Sequence, residues 1–129
     1  MKILVFGNIL VAKDSLALKL VPKLAKEFSE IEFKECDGAE SIESEGRNLL
    51  ILDVAIGIAK VSLIDGLDVL EVTHPYSMHD FDLSLTLRIL KKINAIDSVR
   101  IIAIPSEYSE KKALVEVRKI ISTLLLENV

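Results

Sequence analysis

The amino-acid sequence predicts a three-layer α/β/α domain with a mainly parallel, twisted sheet and one antiparallel hairpin. Short apolar runs alternate along the chain with longer stretches that carry an apolar stripe at helical spacing, which is the pattern of an α/β fold. Most of these runs are apolar at nearly every position, as in strands that are covered on both faces. An Asp-Gly pair between two apolar runs, Asp65-Gly66, predicts the hairpin through a type I′ turn.

Four strands are expected in the parallel part of the sheet. Three of them are continuous apolar runs, whereas the second alternates apolar and polar residues, as a half-exposed strand does. The expected strands are Lys2–Phe6, Ile31–Cys36, Leu49–Asp53 and Arg100–Ile104, and the hairpin joins the segments 60–64 and 67–72. Strands in this order, separated by helices, place their carboxyl ends along one edge of the sheet.

The first helix is expected between the first two strands. Its apolar positions recur every four residues at Leu16, Leu20, Leu24 and Phe28, which is a helical stripe. Asp14 and Ser15 are both candidates for its N-cap. Pro22 lies inside the stripe and predicts either a kink or a later start of the helix.

The segment from His79 to Ile93 fits two periods. Apolar residues alternate with polar ones as in a strand, yet Leu83, Leu87, Leu90 and Ile93 also form a helical stripe. The length of the segment, its early aspartates and its late lysines favour a helix. A short helix is expected in the polar segment 40–46. A long final helix follows Glu107 and should pack Leu114, Val117, Ile121 and Leu124 against the sheet.

Composition limits the class of protein. The 129 residues fit one domain, residues 1–129, and 50% hydrophobic with 28% charged residues excludes a disordered chain. The net charge of −4 lacks the basic surplus of a nucleic-acid-binding protein. The sequence contains no P-loop and no G-x-G-x-x-G, so we expect no nucleotide cofactor, and it has no G-x-S-x-G nucleophile motif.

The sequence also indicates where the protein resides. Its most apolar stretch, Leu49 to Ala59, is too short to span a bilayer and contains Asp53, so membrane insertion is not expected. The single cysteine, Cys36, has no intramolecular disulfide partner and fits a small core residue. Since no basic segment followed by an apolar leader opens the chain, we expect a cytoplasmic protein.

Polar residues follow the expected strand ends, where ligands of such sheets bind. They are Asn8 with Asp14, Asp37, Asp53 and the stretch from His74 to His79. Two carboxylates and an imidazole suit a divalent metal such as nickel, zinc or manganese. Each also has a structural alternative: Asp14 as an N-cap, Asp53 as a buried hydrogen-bonding group, and His79 as the exposed start of a helix.

Several motifs resemble one family. The opening Ile3-Leu-Val-Phe-Gly-Asn-Ile-Leu-Val-Ala-Lys-Asp14 resembles the start of the hydrogenase maturation endopeptidases, where a first strand runs into G-N-x-L, an acidic pair and a helix. Further landmarks follow in the family's order over essentially the whole chain. They are Asp37-Gly38, Leu50-Ile-Leu-Asp53, His79 at the start of an amphipathic helix, and Ile101-Ile-Ala-Ile-Pro105 before a long terminal helix.

The resemblance implies a specific activity. Members of that family remove a C-terminal extension from the large-subunit precursor of nickel-iron hydrogenases after nickel insertion, and the nickel held by the precursor is the recognition signal. Carried over to this sequence, Asp14, Asp53 and His79 would contact that nickel. Asn8, Asp37 and Gly38 would lie near the substrate peptide. No side chain is assigned as the nucleophile, and metal-polarised hydrolysis is the implied chemistry.

The sequence departs from the family at several positions. Lys13 stands where the family usually has an acidic residue, Ser15 and Ala17 where it has glycines, and Ala39 and Glu40 where a glycine and a threonine are common. Larger side chains at glycine positions would narrow the peptide cleft. A second interpretation therefore stays open, in which the chain binds a metal or a hydrogenase-like partner without cleaving it.

Overall fold

A mostly parallel sheet is the middle layer of the computed structural model, which describes residues 1–7, 15–36, 42–65, 77–78 and 81–127. In chain order the described elements are β1 (Lys2–Phe6), α1 (Leu16–Glu27), β2 (Glu32–Cys36), a 3-10 helix (Ile42–Glu45), β3 (Asn48–Ile56), β4 (Ser62–Asp65), β5 (Ser77–Met78), α2 (Phe81–Lys92), β6 (Ser98–Pro105) and α3 (Glu110–Glu127). The predicted α/β fold class is confirmed.

The strand order is β2-β1-β3-β6-β4, and β5 pairs with β3. Strands β1, β2, β3 and β6 are mutually parallel, whereas β4 runs antiparallel to β6 and β5 runs antiparallel to β3. The four parallel strands are those predicted from the sequence, and no strand end differs from its predicted position by more than three residues. Their carboxyl ends therefore lie along one edge of the sheet.

Helices cover both faces of this sheet. Side chains alternate along each strand, so Ile3 and Val5 point to one face whereas Leu4 and Phe6 point to the other. The first face packs against α1 and α3, and the second packs against α2. In α3 the predicted core positions Val117, Ile121 and Leu124 are buried, and Leu114 is partly buried at the edge of the same cluster.

Helix α1 runs from Leu16 to Glu27 without a break at Pro22, and Ser15 occupies its N-cap position. The later start that Pro22 suggested is therefore not observed. Proline removes one hydrogen bond and crowds the preceding turn, which costs about 3 kcal/mol. Full burial of Leu20 and Leu24 on either side of Pro22 offsets that cost, since each contributes about 1.5–3 kcal/mol.

Helix α2 resolves the two periods of the segment from His79 to Ile93 in favour of the helix. Leu87 and Leu90 are buried against the sheet, whereas Ile89 is exposed, as a helical stripe requires. Asn94 ends the helical path with a φ of 60°. The N–H of Ala95 then donates to the carbonyl of Leu90 at 2.8 Å, which is a common way to satisfy the last carbonyls of a helix.

The predicted hairpin is only partly covered by the described residues. Strand β4 is present and antiparallel, and its described partner is β6, with Leu63 opposite Ile102. The second strand of the predicted hairpin, residues 67–72, lies outside the described residues. The antiparallel element is thus confirmed, and the Asp65-Gly66 turn stays a prediction.

An arginine fixes the amino end of the sheet, opposite the carboxyl edge. Arg47 donates to both carboxylate oxygens of Asp97, at 3.0 and 2.9 Å, and to the carbonyl of Asn94 at 2.9 Å. Its guanidinium holds the pKa of Asp97 below the usual range. These contacts tie the start of β3 to the connection between α2 and β6.

A glutamate joins the 3-10 helix to the first two strands. The short helix lies within the predicted segment 40–46, and the side chain of Glu45 is only 4% exposed. Lys2 on β1 donates to Glu45 Oε2 at 2.7 Å, and Lys34 on β2 donates to Glu45 Oε1. Gly46, with a φ of 108°, turns the chain from this helix towards β3.

We expect Glu45 to make the stability of the fold fall at acidic pH. Hydrogen bonds from Lys2 and then Lys34 hold the pKa of Glu45 below its ordinary value of 4.5. The carboxylate therefore stabilises the fold above that value, and this contribution is lost as the pH falls through the lower pKa of the folded protein. The Tm difference between wild type and Glu45→Gln should be largest near pH 7 and shrink below pH 4.

The partner residue supplies the control for this prediction. Lys34→Gln leaves the hydrogen bond from Lys2 in place, so it should reduce the pH-dependent Tm difference without removing it. A Tm difference between wild type and Glu45→Gln that is the same at pH 3 and pH 7 would show that the ion pairs do not contribute.

Candidate functional site

Asp53 is a charged residue buried in the middle of the sheet. It lies on β3 and is 4% exposed, and among the residues whose burial the structure describes the only other buried polar one is Ser15. The N–H of Val54 donates to Asp53 Oδ1 at 2.8 Å. Burying a carboxylate costs several kcal/mol unless it is hydrogen-bonded, paired or coordinated, so Asp53 is a candidate for a functional role.

The sequence prediction that Asp53 ends its strand is wrong by three residues. Strand β3 continues to Ile56, because Val54 and Ala55 extend the apolar run and β3 keeps pairing with β6 as far as Ala55 opposite Pro105. Asp53 therefore lies inside the sheet near its carboxyl edge, rather than in the loop beyond it.

The neighbours of Asp53 on the described parts of the adjacent strands are apolar. Alternation along β3 puts Asp53 on the face that packs against α2, with Ile51 and Ala55. On β6 its partner in the register is Ala103. On β1, Val5 pairs with Leu52, so the buried ring of Phe6 follows at the level of Asp53. Burial of a carboxylate strengthens its attraction for any cation that reaches it.

Two chain segments end beside Asp53. Strand β1 ends at Phe6, after which residues 8–14 lead to α1. Strand β5 pairs with β3 on the side where β1 has ended, because β6 occupies the other side through Ala55. In β5, Ser77 is opposite Ile56 and Met78 is opposite Ala55, so β5 runs towards Asp53. The next residue in the sequence is His79.

The other predicted site residues lie outside the described residues. They are Asn8, Asp14, Asp37, Gly38 and His79. Their flanking elements are described: β2 ends at Cys36 opposite Phe6, one residue before Asp37. Ser15 at the N-cap position of α1 follows Asp14 directly, with a helical φ of −81° and ψ of −6° and no side-chain capping hydrogen bond, so the interpretation of Asp14 as the capping residue stays open.

Cys36 is half-buried rather than a full core residue. Its side chain packs against the apolar cluster that contains Leu4 and Phe6, and its Sγ donates to the carbonyl of Lys34 at 3.7 Å. The interpretation of Cys36 as a small packing residue is thus partly confirmed, and β2 stands at one end of the described sheet.

A metal site is not tested by the described residues. Within residues 1–7, 15–36, 42–65, 77–78 and 81–127, no group of three or more histidine, cysteine, aspartate or glutamate side chains could hold a metal ion. Of the three predicted nickel contacts only Asp53 belongs to those ranges. The proposed ligand set of Asp14, Asp53 and His79 stays a prediction.

Two departures from the family motif fall in the core. Ser15 and Ala17 are both buried, and Ala17 belongs to the cluster between α1 and the sheet. Their side chains therefore occupy space under α1 and do not face solvent. The expectation that they narrow a peptide cleft stays a prediction, since residues 8–14 and 37–41 lie outside the described residues.

None of the helices described is both long enough and apolar enough to cross a membrane.

Comparisons with models of protein families, with curated proteins and with solved structures found no match to the chain. By its fold the chain is an α/β protein with a mostly parallel sheet. The choice of a function therefore depends on the sequence motifs and on the surroundings of Asp53. The neighbours Phe6 and Ala103 were not predicted as part of the site, because strand register is a long-range property that no local motif reports.

Proposed function

We propose that the chain is an endopeptidase of hydrogenase maturation, which removes the C-terminal extension of a nickel-iron hydrogenase large-subunit precursor. The observation that carries the proposal is the burial of Asp53 on the central strand, on the side where β1 ends and β5 runs towards it. The segments that contain Asp14 and His79 adjoin these two strands in the sequence. A shared site for the three residues is consistent with that arrangement.

The proposed chemistry uses nickel that arrives with the substrate. Two carboxylates and one imidazole leave open positions on a divalent metal, so precursor and peptidase can share it. A metal held in this way polarises the scissile carbonyl and promotes hydrolysis. Asn8, Asp37 and Gly38 are proposed to contact the substrate peptide beside the metal.

Burial of Asp53 gives this proposal a thermodynamic reason. A buried carboxylate interacts more strongly with a cation than an exposed one does, because the local dielectric constant is lower. Binding energy from the precursor's nickel would be concentrated at Asp53. Nickel-free precursor should therefore bind weakly and remain uncut.

A processing assay tests the proposal. Nickel-loaded hydrogenase large-subunit precursor is incubated with the protein, and the product mass is measured. We expect a mass loss that equals the C-terminal extension, and no loss with nickel-free precursor. Binding of the loaded precursor without a mass change would favour the second interpretation, in which the chain binds its partner without cleaving it. Lys13, at a position where the family usually has an acidic residue, is an argument for that interpretation. If the protein neither binds nor cleaves the loaded precursor, both interpretations are overturned.

Asp14→Asn is expected to slow processing at least about tenfold, since a neutral amide is a much weaker metal ligand than a carboxylate. Asparagine caps helices as well as aspartate does, so the free energy of unfolding should change by about 0.5 kcal/mol or less. Initial cleavage rates and urea unfolding check both parts. Glu30→Gln changes an exposed carboxylate and is the control, which should cleave at the wild-type rate. If the Asp14→Asn variant also cleaves at the wild-type rate, Asp14 is not one of the nickel ligands.

A further inference from the structure

A groove runs along α3 where this helix passes over β4, the strand at one end of the described sheet. It has two halves of about 680 and 410 Å³, which share Val61, Lys119 and Ile120. On the helix side the lining extends from Lys111 to Glu127, which is about 24 Å of helix axis.

The groove has an apolar floor. Val61 and Leu124 are buried at its base and belong to the main core. Leu63 on β4 and Val115 on α3 are each 40% exposed, and both line the groove. Each half of the groove thus exposes one apolar side chain, Val115 in one and Leu63 in the other, and exposed apolar groups in a concave surface are typical of a place where another molecule packs.

The rim of the groove is positive. Lys60, Lys111, Lys112 and Lys119 line it, on a chain whose net charge is −4. Lys112 lies over the ring of Tyr108, with its Nζ 4.6 Å from the ring centre. In the described ranges no carboxylate lies within 4.0 Å of the amines of Lys60, Lys111 or Lys119.

The acidic residues of the groove already have partners. Glu116 Oε1 accepts a hydrogen bond from the Tyr108 hydroxyl at 3.2 Å, and burial, together with this carboxylate, raises the pKa of Tyr108. Glu127 lies 3.7 Å from Arg100. Four lysines and these two glutamates line the groove, so the positive charges outnumber the negative ones.

We propose that this groove docks an acidic, amphipathic segment of a partner protein in an extended conformation. Its carboxylates would pair with Lys60, Lys111 and Lys119, and its apolar side chains would cover Leu63 and Val115. A length of 24 Å holds roughly seven extended residues. Charge complementarity with a positive groove on an acidic chain selects an acidic occupant over a basic one.

The groove is separate from the candidate peptidase site. It lies on the face of the sheet that α3 covers, whereas Asp53 lies on the face that α2 covers. Two strand steps, from β3 to β6 and from β6 to β4, separate them along the sheet. Docking in the groove therefore leaves the surroundings of Asp53 accessible, and its test does not depend on peptidase activity.

The test is a binding titration with a synthetic peptide. A fluorescein-labelled nine-residue peptide, in which glutamate alternates with leucine, is titrated with the full chain by fluorescence anisotropy. We expect saturable binding that weakens as salt is raised. A matched peptide with glutamine in place of glutamate should bind at least about tenfold more weakly. Equal binding of the two peptides, or no binding of the acidic one, would overturn the proposal.

Variants locate the binding on the protein. Lys119 lines both halves of the groove. Lys119→Glu should weaken binding of the acidic peptide at least about tenfold, because one attraction is lost and one repulsion is added. Leu63→Ser should weaken it about threefold or more through lost apolar contact. The matched control is Lys19→Glu, an exposed lysine on α1, which should leave the affinity within about twofold. Equal loss in Lys19→Glu would indicate a net-charge effect and contradict docking.

NMR on the wild-type protein locates the binding site without any variant, and so does not depend on a variant that folds. The amide signals of Val61, Lys119 and Ile120 should shift on addition of the acidic peptide, with those of β2 unchanged. Shifts elsewhere would overturn the location. If the protein binds inorganic pyrophosphate but not the peptide, and Lys119→Glu abolishes that binding, the groove is a small-anion site instead. Self-association that Lys119→Glu abolishes would identify a second copy of the chain as the occupant, and both results contradict the proposal.

Discussion

Asp53→Asn is expected to reduce processing of the nickel-loaded precursor by more than about 100-fold while the protein stays folded. Asparagine has nearly the same shape, and its side-chain oxygen can still accept the hydrogen bond from the N–H of Val54. What is lost is the negative charge that the proposed mechanism directs at the nickel. Loss of even an outer partner of a metal ligand costs about 10–100-fold in affinity or activity, so loss of a contacting carboxylate should cost more.

The measurement is the initial rate of precursor cleavage, followed by product mass, with circular dichroism and Tm as checks of the fold. Glu30→Gln removes an exposed carboxylate in the turn after α1 and should leave the rate unchanged. An Asp53→Asn protein that is folded and cleaves at the wild-type rate would show that the buried carboxylate has a structural role only.

His79→Ala extends this prediction to the second proposed ligand. His79 is the residue after Met78, which pairs with Ala55 two positions beyond Asp53. If both residues contact one nickel ion, removing either should abolish most of the processing, and the double variant should be little worse than each single variant. Such non-additivity is typical of residues that act as a unit. Multiplicative losses would indicate separate roles.

The fold could be predicted from the sequence because its signals are local. Continuous apolar runs such as Lys2–Phe6 define strands that are covered on both faces, and the structure has that strand with the same ends. The segment from His79 to Ile93 needed its length and its charged ends to decide between strand and helix. Pro22 could not be interpreted locally, since the burial of Leu20 and Leu24 determines whether the helix tolerates it.

The candidate site could be predicted only in part. The sequence identified Asp53 because it stands at the expected end of an apolar strand and in one of the motifs that carry the resemblance, and the structure shows that it is buried. Its apolar neighbours Phe6 and Ala103 depend on the register of three strands that are far apart in the sequence. The groove lysines were not predicted either, because Lys60 and Lys119 come together only when α3 packs over β4.

Leu87→Ala is expected to lower the free energy of unfolding by about 2–5 kcal/mol, the usual range for a buried leucine. Leu87 is 0% exposed and packs, with Leu4 and Ile51, in the cluster between α2 and the sheet. Since a domain of this size is stable by only about 5–15 kcal/mol, this one change would remove a large fraction of the total. The midpoint of urea unfolding, with an unchanged m-value, measures the loss.

Ile89→Ala is the matched control for Leu87→Ala, because it lies two residues along the same helix and is 51% exposed. It should change the free energy of unfolding by about 0.5 kcal/mol or less. Equal losses from the two variants would contradict the packing of α2 on the face that carries Asp53.

Helix α2 begins two residues after His79, so weaker packing of α2 in Leu87→Ala should also displace the proposed ligand His79. Processing by Leu87→Ala should therefore fall at temperatures well below its Tm, whereas processing by Ile89→Ala should follow the wild type.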